Sequence, residues 1–208
     1  FILCLTITSQ SYSQSKFGEK KTIADLIGYN ISGEIEGLQD TSVMLAYYFG
    51  GKQYATDTSK VVGGKFSFKG ERELQGGMYL VVLANQQYFD IIVSEQHFSF
   101  STKIDDLIGS MSFKNSNENP PFYEYLNFIT QMQKQVTPIR QQLETAEGDA
   151  KKVLQEKANA IDVKVKKFRE DFMINNKDKF FSKIVTATTE IQIPESPLDS
   201  TGNPDETY

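Results

Sequence analysis

The 208 residues carry a net charge of −5 with 39% hydrophobic and 12% aromatic content, the balance of a globular chain that can bury one large core or two small ones. That charge supplies no overall positive field to hold nucleic acid. One cysteine, Cys4, excludes an intrachain disulfide and a Cys-x-x-Cys dithiol within these residues, and one histidine, His97, excludes a His-rich metal centre or an HExxH zinc site.

The chain opens on the apolar run Phe1 to Thr8 and continues into the small, polar residues Ser9 to Gln14. This resembles the second half of a secretory signal peptide, cleaved after Ser11 or Ser13, and is too short to span a bilayer. Residues 1–13 are therefore expected to be a leader remnant, the protein to be exported, and no stable membrane span to remain. A buried first strand is the competing reading of the apolar run. A lipoprotein anchor would need a small residue before Cys4, where Leu3 stands. Residues 14–28 are polar, with a short helical turn at Ile23 to Ile27, and receive no function.

From Tyr29 to Lys103 runs a ladder of short apolar segments broken by three glycine pairs, Gly50-Gly51, Gly63-Gly64 and Gly76-Gly77. A two-residue Gly-Gly step between apolar runs predicts a β-hairpin, because both turn residues need positive φ. The expected strands are Tyr29 to Leu38, Ser42 to Phe49, Lys52 to Val62, Lys65 to Lys69, Met78 to Ala84, Tyr88 to Ser94, Phe98 to Lys103 and a short closing strand, Ser110 to Phe113. Ile31, Gly33 and Ile35 alternate with Ser32, Glu34 and Glu36, which puts one face of the first strand inward. Phe66, Phe68, Phe98 and Phe100 point inward by the same rule. The strands at Ser42, Met78 and Tyr88 are apolar on both faces, which predicts a sheet folded over on itself with something packed on its outer face.

After Asn115 the period changes. Phe122, Tyr125, Ile129, Met132, Val136, Ile139 and Leu143 form a heptad stripe, with Asn119 as expected N-cap, Pro120 at the first helical position and Pro138 as an interruption that removes one backbone bond and kinks the helix. Gly148 is expected to end this helix and Asp149 to cap the next, whose stripe is Leu154, Ala158, Ile161, Val165, Phe168 and Phe172. Like spacing and a tight turn predict an antiparallel helical hairpin. A third helix is expected after Asp178. Residues 189–208 lack Lys and Arg, carry Pro194, Pro197 and Pro204, and read as a linker to a further domain. The fold class is thus α+β: an antiparallel β-sandwich-like meander, 29–114, then a long antiparallel helical hairpin with a third helix, 119–188.

No GxxxxGK[ST], GxGxxG or GxSxG occurs, so phosphate cradles and nucleophile elbows lack sequence support, and neither catalytic, cofactor nor metal residues are assigned. Glu34 and Glu36 read as a solvated strand face and not as an acid–base pair. Asp90, Ser94 and His97 lie close along one strand and turn, whereas triad members converge from separate segments. Asn30-Ile31-Ser32 matches a glycosylation acceptor inside a strand. The second long helix carries Lys151, Lys152, Lys157, Lys164, Lys166, Lys167 and Arg169, a basic face without interleaved aromatics that reads as solvated. Tyr47, Tyr48, Phe49 and Tyr54 are the candidate partner-contact residues, with burial in a core as the plainer account of the same rings.

The run ISGEIEGLQDTSVMLAYYFGGKQYATDTSKVVGGKFSFKG, followed by GMYLVVLANQQYFDIIVSEQHFSFSTK, resembles the DUF4369 domain found at the N-terminus of exported thioredoxin-like (TlpA/AhpC-type) proteins of Bacteroidetes. The matching motifs are Gly33 to Leu38, Asp57-Thr58, Gly64 to Gly70 and Phe89 to Ile92. The helical pair and NKDKFFSKIVTATTEIQIPESP are similar to the DUF5106 region that often follows. The resemblance implies a periplasmic or envelope-facing protein with a thioredoxin-like domain, bearing Cys-x-x-Cys, beyond Tyr208. No redox residue is carried over, because no position here matches that motif. The expected function is a non-catalytic accessory or scaffold region of an exported thiol–disulfide oxidoreductase, without cofactor, whose partners are its own thioredoxin-like domain and a second copy or a client protein. The alternative is a stand-alone envelope module that binds glycan or peptide through its aromatic sheet face.

Overall fold

The computed structural model describes residues 28–188. The expected leader, the Ile23 to Ile27 turn and the expected linker 189–208 lie outside the described residues. Eight strands, β1 (Tyr29–Glu36), β2 (Ser42–Phe49), β3 (Lys52–Lys60), β4 (Lys65–Gly70), β5 (Gly77–Val82), β6 (Tyr88–Val93), β7 (His97–Lys103) and β8 (Ser112–Lys114), precede three helices, α1 (Asn119–Leu143), α2 (Gly148–Asn175) and α3 (Phe180–Thr188). The strands form two four-stranded sheets, ordered β4-β1-β7-β8 and β3-β2-β5-β6. The α+β class with a two-layer β unit followed by helices is as expected.

Connectivity inside the layers departs from a simple up-and-down succession. β1 pairs not with β2 but with β4, antiparallel, and with β7, parallel. Gly50 and Gly51, at φ +55° and +77°, make the expected hairpin, with Phe49 opposite Lys52. The Val62 and Lys65 backbones bond across Gly63-Gly64, but this turn passes the chain from the second sheet to the first. Gly76-Gly77 is no hairpin: Gly77 already pairs with Val93 in β5, and the preceding segment carries the chain back to the second sheet.

Between the sheets lies one core that includes Ile31, Ile35, Leu45, Phe68, Val81, Ile91 and Phe100. Gly33 sits opposite both Phe66 and Phe100 in the ladders. A Cβ there would lie 2.3 Å from the Phe66 ring and 2.8 Å from that of Phe100, so glycine is what lets the two rings, 5.8 Å apart, close edge-on over β1. At one side the sheets are sewn by side chains. Asp57 Oδ2 accepts hydrogen bonds from the Tyr29 hydroxyl at 2.9 Å and the Lys69 N–H at 3.0 Å, and Ser59 Oγ accepts from the Ser67 N–H at 3.1 Å. These bonds occupy the open edge of β4. A register shift between Leu45 and Ala46 sets Asp57 opposite Leu45, next to the extra residue Thr56. Burial first, then the Asp57 bond, pushes the Tyr29 phenol up to about 12.

The heptad stripes of α1 and α2 meet as expected: Met132, Val136, Ala158 and Ile161 are buried between them, with Ile139, Leu143 and Val165 half-buried beside them. At the hairpin base, Phe122, Tyr123 and Phe172 join Phe181 and Val185 of α3 in a cluster that includes Ile92. The helices therefore cover part of the outer face of the second sheet, and Phe113, 5.1 Å from Tyr123, links this cluster to the sandwich core.

Several helix-end expectations are corrected. Glu118, not Asn119, holds the N-cap position of α1, and it makes no side-chain cap bond there. As expected, α1 runs through Pro138, but it stops at Leu143, and Gly148 opens α2 instead of ending α1. Glu147 precedes α2, and Asp149 falls in its first turn without capping it. Ser110 is not in β8, because its hydroxyl donates to the Asp106 carbonyl at 2.7 Å and holds a turn instead.

Candidate functional site

The β2–β3 hairpin carries the candidate contact residues, and strand alternation divides them. Tyr47 stacks on Tyr54 at 5.8 Å and lies 6.0 Å from the buried Tyr79, while Phe49 meets Tyr54 edge-on at 6.4 Å. A row of rings thus runs from the core to the hairpin tip. Its outer members are open to solvent: Phe49 is 71% exposed and Tyr54 42%. Tyr48, 46% exposed, faces the other way, where burial and then the Asp90 carboxylate raise its phenol above the ordinary range. The sequence-predicted quartet is therefore one group of three plus Tyr48 on the opposite face. Structural burial accounts for Tyr47, while Phe49 and Tyr54 present an exposed aromatic corner.

On that opposite face, Asp90 of β6 lies across from Leu80, which is fully buried. Its Oδ1 is buried without a hydrogen-bond partner, and desolvation raises its carboxyl above the ordinary carboxylate value. The Tyr123 hydroxyl donates to the Asp90 backbone carbonyl at 2.8 Å, and burial drives that phenol far up. No hydrogen bond joins Asp90, Ser94 and His97. Ser94 donates to Glu95 at 2.6 Å, and both His97 ring nitrogens are buried without partners. These three residues do not assemble a triad.

Glu34 and Glu36 behave as solvated strand residues, paired with Lys65 at 3.6 Å and Lys103 at 3.3 Å through exposed side chains. Asn30 is half-buried in β1, and its Oδ1 accepts from Ser67 at 2.9 Å. The basic residues of α2 are mostly exposed, and Lys152 pairs with Asp149 at 3.7 Å. No group of three metal-ligating side chains lies together among the described residues, and no described helix is long and apolar enough to cross a membrane.

The residue that sequence reasoning misplaced is Asn119. It is fully buried, and its amide pairs with both backbone groups of Ile92 on the free edge of β6. Its second N–H donates to Ser116 at 2.9 Å. Nearby, Glu118 accepts from the Phe180 N–H at 2.9 Å and the Lys179 ammonium donates to the Asn117 carbonyl at 3.0 Å, so the start of α3 is tied to the start of α1. An Asn before Pro is a strong capping signal, and nothing local distinguishes it from an Asn that reaches a strand 27 residues away.

Residues 29–135 match the model of a family described as a domain of unknown function, DUF4369. The match runs through all eight strands and into α1, so it takes in Asn119, Phe122 and Tyr123. No curated protein and no solved structure matches the chain.

Proposed function

The chain belongs to the DUF4369 family, and from that premise we propose that it is a non-catalytic accessory region of an exported, periplasmic or envelope-facing thioredoxin-like thiol–disulfide oxidoreductase, with its helices acting as a DUF5106-like spacer. Its work is placement. The observation that carries this reading is the junction at the start of α1: Asn119 fastens the helical hairpin to β6, and Glu118 fastens α3 to the same point. The linker expected after α3 would start from a fixed place beside the sandwich and not from the far end of a free helical arm. The motifs at Gly33 to Leu38 and Gly64 to Gly70, and the leader-like opening, support the exported context.

Reading the coding frame past Tyr208 tests the proposal. A Cys-x-x-Cys within a βαβ pattern is the expected result, and a stop codon soon after Tyr208 would overturn it. The exposed Phe49 and Tyr54 favour a second reading, a stand-alone envelope module that binds glycan or peptide. A stop codon would leave that reading in place.

A further inference from the structure

The outer face of the first sheet holds a hollow of about 350 Å³ lined by Ser32, Ser99, Ser101 and Ser112, with Glu34, Lys65 and Lys114 among its other lining residues. The hollow follows from side-chain length. Ser32 lies opposite Ser99, Ser99 opposite Lys114, and Ser101 opposite Ser112, so short hydroxymethyl groups occupy neighbouring positions on β1, β7 and β8. Longer, charged side chains stand around them. Serine is not a residue that strands favour, and on a solvated face threonine would serve the sheet better.

We propose that this hollow binds an acidic saccharide, with the serine hydroxyls on the sugar hydroxyls and the Lys114 ammonium on the carboxylate. The site lies apart from the aromatic hairpin and goes beyond the accessory role proposed above. Its polar groups are available. Among the described residues the hydroxyls of Ser99, Ser101 and Ser112 have no protein hydrogen-bond partner, and Ser32 makes only 3.4 Å contacts to Asn30 and Ser67. Lys65 is already offset by Glu34, whereas Lys114 has no ion-pair partner among the described residues.

The chemistry selects the ligand class. Each hydroxyl both donates and accepts, which suits a polyol, and the grid they form repeats at about 4.8 Å across strands and about 6.7 Å along them. An added peptide strand would pair along the free edge of β8 and lie beside the hollow, not over it, because β1 and β7 are internal strands with their backbone groups already paired. Tight phosphate binding would call for an arginine fork or converging N–H groups, and the lining residues include neither arginine nor a helix end. One unpaired cation beside several hydroxyls fits a sugar that carries one carboxylate per ring.

The test is a titration of the isotope-labelled 208-residue chain with tri-galacturonate, followed by amide chemical shifts, with maltotriose and inorganic phosphate in parallel. Shifts at Ser32, Ser99, Ser101 and Ser112 with tri-galacturonate, much weaker ones with maltotriose, and about a tenfold loss of affinity in Lys114→Ala are expected. Ser101→Val, which suits a strand but lacks the hydroxyl, should also weaken binding while leaving the unfolding curve in place. Absence of shifts at these amides up to about 10 mM ligand would overturn the proposal. So would equal binding of maltotriose, equal binding of phosphate, or shifts confined to Tyr47, Phe49 and Tyr54.

Discussion

The side chain of Asn119 and the backbone of Ile92 exchange two hydrogen bonds: Nδ2–H donates to the Ile92 carbonyl at 2.7 Å, and the Ile92 N–H donates to Oδ1 at 2.8 Å. A carboxamide thus stands where the next strand of the sheet would be. It closes the edge of β6 and fixes the first turn of α1 against the sandwich.

Replacing Asn119 by alanine should therefore cost more than a lost helix cap. Two buried backbone groups would be left unpaired, each worth about 1–3 kcal/mol, so a loss of about 2 kcal/mol or more is expected in urea unfolding followed by circular dichroism. A loss below about 0.5 kcal/mol, the usual range for a neutral surface change, would mean that the pairing is incidental.

Gly33→Ala should destabilise by about 1–3 kcal/mol through overpacking, because its Cβ would meet the Phe66 and Phe100 rings. Phe66→Ala should cost about 3–5 kcal/mol alone, a large share of a margin of about 5–15 kcal/mol. The two changes should be non-additive, since removing the Phe66 ring makes room for the new methyl group. Strict additivity in a double-mutant cycle would contradict the packing described.

Local chemistry accounts for what was legible in the sequence. Gly50-Gly51 announced its hairpin because positive φ at two successive residues is a property of those residues, and the stripes through Met132 and Ile161 announced two helices because burial repeats with the helical period. The parallel β1–β7 pair was not legible, as two alternating strands carry no mark of which neighbour each will choose. Asn119 was misread for the related reason that its partner is remote in sequence. Phe128, stacked 3.7 Å from Phe168, lay outside the predicted stripe because the hairpin base is wider than a two-position seam. Tyr47, Phe49 and Tyr54 were legible as candidate contacts, though alternation separates Tyr48 from them. The serine hollow was not, since its residues gather only when β1, β7 and β8 lie side by side.

Two carboxylates should give opposite pH signatures. Asp90 is raised by burial, so the folded state holds its proton more tightly than the unfolded chain. Its stabilising effect is present below the unfolded value of about 3.9 and is lost as pH rises through the higher folded value. Asp90→Asn should then be more stable than the parent at neutral pH and remove that decline. Glu95 is pushed up by burial but held down more strongly by hydrogen bonds from Ser94, from the N–H groups of Asn117 and of Glu95 itself, and from Ser116, leaving it below its ordinary value. Its contribution is present above the unfolded value of about 4.3 and lost as pH falls through the folded one. Unfolding free energies measured between acid and neutral pH for Asp90→Asn and Glu95→Gln should diverge in these directions; parallel curves would contradict the assignment.

The hairpin core makes a separate demand. Ile161 is buried between α1 and α2 and Ile129 is half-buried on the facing stripe, so Ile161→Asp should lower helicity and melting temperature markedly and Ile129→Asp less so. Unchanged helicity and melting temperature in both variants would remove the hairpin from the account.

The claim that this chain places a reactive domain, and makes or breaks no bonds itself, is tested most directly by insulin disulfide reduction with the purified 208-residue chain. The account predicts no turnover above the background set by the reductant. Sustained, protein-dependent turnover by this chain alone would contradict it.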